Sequence, residues 1–294
     1  MTIEQHTETI QKATTWAREL TSASLDGWNP QGEKNGVKIY TQENGTLIRG
    51  DYLFKTSSFT YEEYAAVATS TVIRTMWDTS FDKGEQRRMI GVDEGVYWVK
   101  YKAPWPITPR DFCLYGKVDH FESEDAILAT MTSIKDDQAA PPVQGCVRGT
   151  LHIVAWYIRK DPQGIAVTYV NKTDLGGSLP GSFMKLVATQ IPQAVVRVSD
   201  FMNKYGFPPL HHNACIKKEA FDQKKLAYEA TIKTDKAEDV VWYVAKQMYP
   251  KGVSIKTSPT ALQNKVQVQT CENGHHRVTL RQVDQPVTIT MTKK

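Results

Sequence analysis

The sequence predicts an α+β fold: a curved antiparallel sheet clasping a long C-terminal helix, followed by a small α+β module. Three observations carry this prediction. Between residues 96 and 173 the chain is a succession of strand-like runs joined by short connections, which favours antiparallel pairing. From Ser182 to Tyr205, apolar residues recur at spacings of three and four (Phe183, Val187, Ile191, Ala194, Val198, Phe201, Tyr205), the period of an amphipathic helix. Beyond the Pro208-Pro209 pair, strand and helix patterns start afresh, marking a second module.

Taken in order, the first helix spans residues 3–24, its apolar side formed by Ile10, Ala13, Trp16, Ala17 and Leu20. A turn-rich segment, 26–32, leads to strands at Val37–Thr41 and Leu47–Lys55, with Asn44-Gly45 as the hairpin turn between them. Thr60-Tyr61-Glu62-Glu63 has the capping-box form and starts a second helix through Ser70; a third helical piece runs from Val72 to Asp78. Five strands follow, at Val96–Lys102, Asp111–His120, Ala126–Ile134, Val147–Arg159 and Ile165–Thr173, with Pro, Gly or Asp at each break. The long helix opens after Pro180, with Ser182 as N-cap, and stops at Gly206; Pro192 inside it removes a backbone hydrogen bond and predicts a kink. In the second module, Leu226–Lys233 and Val253–Thr257 are expected as strands, and Lys236–Met248 as a helix presenting Val240, Val241, Val244 and Met248. Lys265–Thr270, Arg277–Gln282 and Val287–Thr292 complete it as strands, with Asn273-Gly274 as a hairpin turn.

Composition bounds the class of protein. With 294 residues, 40% hydrophobic and 23% charged, the chain is long enough for two ordinary domains, each with its own core, and shows no sign of disorder. Four widely spread cysteines without a CxxC pair fit a reducing compartment. No apolar run approaches the roughly 18 residues of a membrane span, so a cytoplasmic protein is expected. Charge is uneven: residues 1–209 carry 22 Lys/Arg against 24 Asp/Glu, whereas residues 210–294 carry 14 against 8, so the basic surplus belongs to the second module.

Ala103-Pro104-Trp105-Pro106-Ile107-Thr108-Pro109-Arg110-Asp111-Phe112 closely resembles the PWPxxxRDF signature of the START lipid-transfer family. Arg74-Thr75-Met76-Trp77-Asp78 before it, Val147-Arg148-Gly149 after it, and Asp174-Leu175-Gly176-Gly177-Ser178-Leu179-Pro180 before the long helix agree with the family in order and spacing. The resemblance covers roughly residues 5–208, giving a START-like domain at 1–210 and a module of no assigned family at 216–294. It implies a helix-grip fold whose single internal tunnel holds one lipid and is closed by the C-terminal helix, here through Phe183, Val187 and Ile191. Gly176-Gly177 beside Pro180 supplies a hinge for that lid. Such a carrier must hide its cargo at roughly 25 cal/mol per Å² of apolar surface, which calls for a deep, mostly hydrophobic pocket.

In motif pattern the chain is nearest to the phosphatidylcholine-transfer branch, whose matching arginine and aspartate meet the lipid phosphate. That places Arg74 and Asp78 on the phosphate, with Arg as bidentate donor and Asp as its orienting partner. The aromatic cage that holds choline in that branch maps onto Phe112, a position on or beside Trp98, and His152, which is a poor partner for a cation when protonated. Arg148, assigned to the same strand face as His152, is a second inward charge. Catalytic motifs of the GxSxG, HExxH, Walker and Rossmann kinds are absent from the sequence, and no catalytic role or cofactor is assigned. The pairing of His211-His212-x-x-Cys215 with Cys271-x-x-x-His275-His276 has no standard zinc spacing, so no metal site is assigned either. The expected function is transfer of one lipid, glycerophospholipid before sterol, with transient membrane contact and no nucleic-acid partner; the alternative is a lipid-gated adaptor acting through the basic module. Oligomeric state is left open.

Overall fold

The amphipathic N-terminal stripe folds as predicted in the computed structural model, which describes residues 3–91, 93–211, 216–232 and 237–294. Helix α1 (Ile3–Leu20) buries Ile10, Ala13, Ala17 and Leu20 and leaves its polar side outward. The chain divides into two compact units, Met1–Ser199 and Asp200–Lys294.

The first unit is built on one ten-stranded sheet: β1 (Asn29–Lys34), β2 (Val37–Gln42), β3 (Leu47–Lys55), β4 (Phe81–Met89), β5 (Glu94–Tyr101), β6 (Arg110–Phe121), β7 (Ala126–Ser133), β8 (Val147–Arg148), β9 (Thr150–Asp161) and β10 (Gly164–Asp174). Its order is β1-β2-β3-β10-β9-β7-β6-β5-β4, antiparallel throughout; only the short β8 runs parallel, beside β6. Three strands exceed the seven expected. Two of them, β1 and β4, are the polar edges of the sheet, where charged residues blunt further pairing and erase the alternating apolar signal. The third arises because the run 147–159 is interrupted at Gly149. A Cβ there would lie 2.4 Å from Phe112 Cε1, so only glycine fits.

Helix α2 (Tyr61–Thr69) starts with the capping box read from the sequence: Glu63 N donates to Thr60 Oγ1 and Thr60 N donates to Glu63 Oε2. The helix expected at 72–78 is instead one 3-10 turn, Arg74–Met76, that still brings Asp78 N to 2.8 Å from Arg74 O. The long helix is also corrected. Pro192 breaks it rather than kinking it, giving α3 (Gly181–Gln190) and α4 (Ala194–Tyr205). Pro180, not Ser182, occupies the N-cap of α3, without a side-chain cap bond. In α4, Ala194, Val195 and Val198 are buried, and Tyr64 of α2 donates its hydroxyl to Val195 O at 2.7 Å. No residue of α3 is buried; Met184 and Leu186 are exposed.

The second unit holds β11 (Leu210–His211), β12 (Ile216–Asp222), β13 (Ala227–Ile232), β14 (Glu238–Val244), β15 (Val253–Ser258), β16 (Val266–Thr270), β17 (His276–Val283) and β18 (Val287–Lys293). They form two four-stranded antiparallel sheets, β11-β14-β17-β16 and β12-β13-β18-β15. The helix expected at 236–248 is strand β14; beside the strands, the described part of this unit holds a 3-10 helix, Thr260–Lys265, and the end of α4. The residues allowed both periods: Val240, Trp242 and Val244 alternate inward, and β-branched and aromatic side chains favour the pleat. The Asn273-Gly274 turn forms as read, Gly274 at φ 81° with its N–H on Cys271 O.

Candidate functional site

Alternation along the strands assigns the two faces of the large sheet. One face packs on α1: Val96, Trp98, Cys113, Tyr115, Leu128, Ile153 and Ala155 share a core with Ile10, Ala13, Ala17 and Leu20. The opposite face carries Tyr101, Phe112, Trp156 and Tyr169. Tyr101 and Phe112 meet edge to face at 5.8 Å, and Trp156 lies 4.4 Å from Tyr169, its direct partner across β9 and β10.

Into this aromatic surface the 3-10 turn inserts a charge pair. Arg74 Nε donates to Asp78 Oδ2 at 3.3 Å; the side chains are only 14% and 6% exposed, so the pair is interior and not a surface salt bridge. The Arg74 guanidinium carbon sits 5.0 Å from the Trp77 ring centre, 5.2 Å from Phe81 and 5.8 Å from Tyr101. Trp77 meets Trp156 edge to face at 6.4 Å. Burial alone would raise the Asp78 carboxyl; the charges of Arg74 and Arg197 and the bonds from Ser80 N and Oγ hold it below the ordinary carboxylate range. Burial pushes the Tyr101 phenol up to about 12, so it stays a neutral donor.

The signature Ala103–Phe112 splits its work among three side chains. Buried Arg110 donates from Nε to Leu175 O (3.0 Å), from Nη2 to Gly176 O (3.1 Å) and from Nη1 to Thr108 O, tying the signature to the loop before α3. Gly176 and Gly177 in that loop have φ of 65° and 70°, which side chains other than glycine rarely adopt. Asp111, 1% exposed, turns toward the α1 face, and Phe112 toward Arg74's face.

The sequence-predicted residues therefore fall into groups. Arg74, Asp78 and Phe112 come together. Trp98 and Arg148 do not join them: Trp98 Nε1 donates to Asp111 Oδ2 at 2.9 Å, and Arg148 grips the same carboxylate through Nε (3.1 Å) and Nη2 (2.8 Å). These two belong to a structural network on the α1 face, one residue out of phase with the site. His152 shares its strand parity with Trp156 but is exposed. Phe183, Val187 and Ile191 are half-buried, none of them enclosed. The residues missed from sequence are Trp77, Tyr101, Trp156, Tyr169 and Arg197. For the strand residues the signal was period-two alternation counted from Phe112; for Arg197 it was a single charge in the otherwise uncharged run 191–199. Of the zinc pairing weighed above, His212 and Cys215 lie outside the described residues, and no cluster of three His, Cys, Asp or Glu suited to a metal occurs among those described. Nor does any described helix have the length and apolar character to cross a membrane.

The large antiparallel sheet thus has one face on a helix and the other lined by aromatic rings around a buried ion pair. The chain belongs to the START domain family, whose model matches residues 19–206. Among solved structures it is similar to human STARD10 (20% identity, 66% of this chain and 80% of that one, TM-score 0.58). It is equally similar to human StAR-related lipid transfer protein 5 (21% identity, 66% and 96%, TM-score 0.58). The lipid transfer and protein localization domain of human StarD13 follows (17%, 68% and 97%, TM-score 0.51). At these identities the likeness is one of fold. No curated protein matches the chain.

Proposed function

We propose that this chain binds one lipid against the aromatic face of its large sheet and carries it between membranes, with a glycerophospholipid as cargo. START domains bind and transfer lipids, and the observation that carries the finer reading is the buried Arg74–Asp78 pair. A charge pair ringed by Trp77, Phe81, Tyr101 and Phe112 offers phosphate oxygens charge-assisted donors in a setting that also accepts apolar material. Arg74 spends only Nε on Asp78, leaving its two terminal nitrogens free for a phosphate. Exposed α3 is the segment suited to move as a lid about Gly176-Gly177, and Trp105, 93% exposed on the signature loop, suits transient contact with a membrane interface.

The test is Arg74→Ala. Hydrogen bonds to charged groups are worth about 1.5–3 kcal/mol, so phospholipid affinity should fall roughly tenfold to a hundredfold; the variant is also destabilised, since it strands Asp78, and binding is compared at a temperature where melting curves show both proteins folded. Phospholipid and sterol binding are measured on both proteins. Loss of phospholipid alone supports the phosphate role; unchanged phospholipid binding, or sterol as the only lipid bound, overturns it.

A further inference from the structure

We propose that the head group taken by this site is an anionic phosphodiester without an ammonium, and that Arg197 of α4 is the second cation that selects it. This inference rests on the phosphate reading above and adds the charge class of the cargo. A quaternary ammonium is recognised by open aromatic faces. Here three of those faces, on Trp77, Phe81 and Tyr101, are already taken by the guanidinium of Arg74 at 5.0–5.8 Å. A choline brought to the same rings would meet Arg74 as a like charge in a weakly screened interior.

The remaining valences point the same way. Arg197 Nε is buried without a hydrogen-bond partner among the described residues, and only its Nη1 is engaged, on Gln190 O at 3.2 Å. Trp77 Nε1 is likewise buried and unpartnered. Both orphans are donors, and a buried donor left unmet calls for an acceptor. Arg197 also lies near enough to help hold Asp78 ionised and to act on the Tyr101 and Tyr169 phenols. Arg74 is bonded to Asp78 and Arg197 acts on it through charge alone, so the two guanidiniums outnumber this carboxylate by one positive charge. A phosphodiester neutralises that surplus; a zwitterionic head group brings its own cation and does not.

The experiment offers the full-length protein vesicles containing equal amounts of phosphatidylglycerol and phosphatidylcholine, which share the phosphodiester and differ in the ammonium. Bound lipid is then identified by native mass spectrometry. Presenting both lipids in one membrane removes vesicle charge as a cause of any preference. The wild type should carry phosphatidylglycerol over phosphatidylcholine by about tenfold, the worth of one charge-assisted contact. Arg197→Gln should bring the ratio toward unity, Arg197→Lys should keep much of it, and melting curves establish that both are folded. Equal loading of the two lipids by the wild type, or an unchanged ratio in folded Arg197→Gln, overturns the proposal while leaving a phospholipid carrier intact. Sterol loading with neither phospholipid, tested on vesicles that also contain cholesterol, overturns the phosphate reading beneath it.

Discussion

Asp78 shows how one side chain sets the character of the site. Its carboxylate accepts from Arg74, Ser80 N and Ser80 Oγ, and burial, which opposes ionisation, is outweighed by those partners. A carboxylate whose folded pKa lies below the ordinary 3.8 contributes stability that is present above that value and lost as pH falls through the lower folded value. Asp78→Asn should therefore destabilise the protein at neutral pH by about 3–5 kcal/mol, because it strands a buried guanidinium. The gap between wild type and variant should shrink as pH falls below 3.8, where the unfolded chain's carboxyl protonates first and the folded wild-type group follows at its lower value. Chemical denaturation across pH checks both limbs, and a gap constant down to pH 2 would mean that Asp78 acts by shape and not by charge. The sequence revealed this pair through its i, i+4 spacing and its motif, but not its burial. Arg148 and Trp98 lie apart from that pair: a strand position one residue out of phase lands on the other face, and no local feature of Val147-Arg148-Gly149 fixes that phase. The phase is set by Asp111, which both side chains contact from across the sheet.

At the level of elements, the segment from Asp174 to Gln190 is thinly packed. Helix α3 has no buried residue, and the loop before it is held chiefly by Arg110 through the carbonyls of Leu175 and Gly176. Arg197 reaches from α4 to Gln190 at the other end of α3. A helix pinned by backbone carbonyls at both ends, with little side-chain burial between, opens at small free-energy cost. Arg110→Ala should raise amide exchange across 175–190 and speed loss of bound lipid, leaving exchange in β9 and β10 unchanged; hydrogen exchange by mass spectrometry reads all three. Uniformly faster exchange would make Arg110 a general structural residue instead. Most of the large sheet was legible because β3, β5, β6, β7, β9 and β10 carry dense apolar or alternating runs. The polar edges β1 and β4 were not, and neither was the break at Pro192, since apolar periodicity continues through a proline that the backbone cannot follow. In β14 the misreading came from a valine-rich run whose apolar positions satisfy period two and period 3.6 alike.

For the molecule as a whole, the question is which functions reside in residues 1–210 and which in the remainder. Arg74, Asp78, Tyr101, Phe112, Trp156, Tyr169 and Arg197 all belong to the first unit, so the proposed lipid site draws on residues before 200. Residues just beyond it are anchored within the second unit: a Cβ on Gly206 would lie 2.5 Å from that of Ala245, and the Phe207 ring is 5.0 Å from His275. A fragment ending at residue 210 thus keeps the whole site but bares Phe207, which is fully buried in the intact chain. We expect it to fold and to co-purify with the same lipid as the full chain, while self-associating more readily. It also loses the net +6 carried by residues 210–294, and long-range attraction to an anionic surface scales with such a surplus and is screened by salt. Vesicle pelleting with phosphatidylserine at low and high salt should therefore show salt-sensitive association for the full chain and little for the fragment, with lipid occupancy equal in both. A folded fragment devoid of lipid would place part of the binding site in the second unit. Equal, salt-sensitive pelleting of both proteins would move the membrane attraction to the START domain itself, leaving the basic module without a role at the membrane.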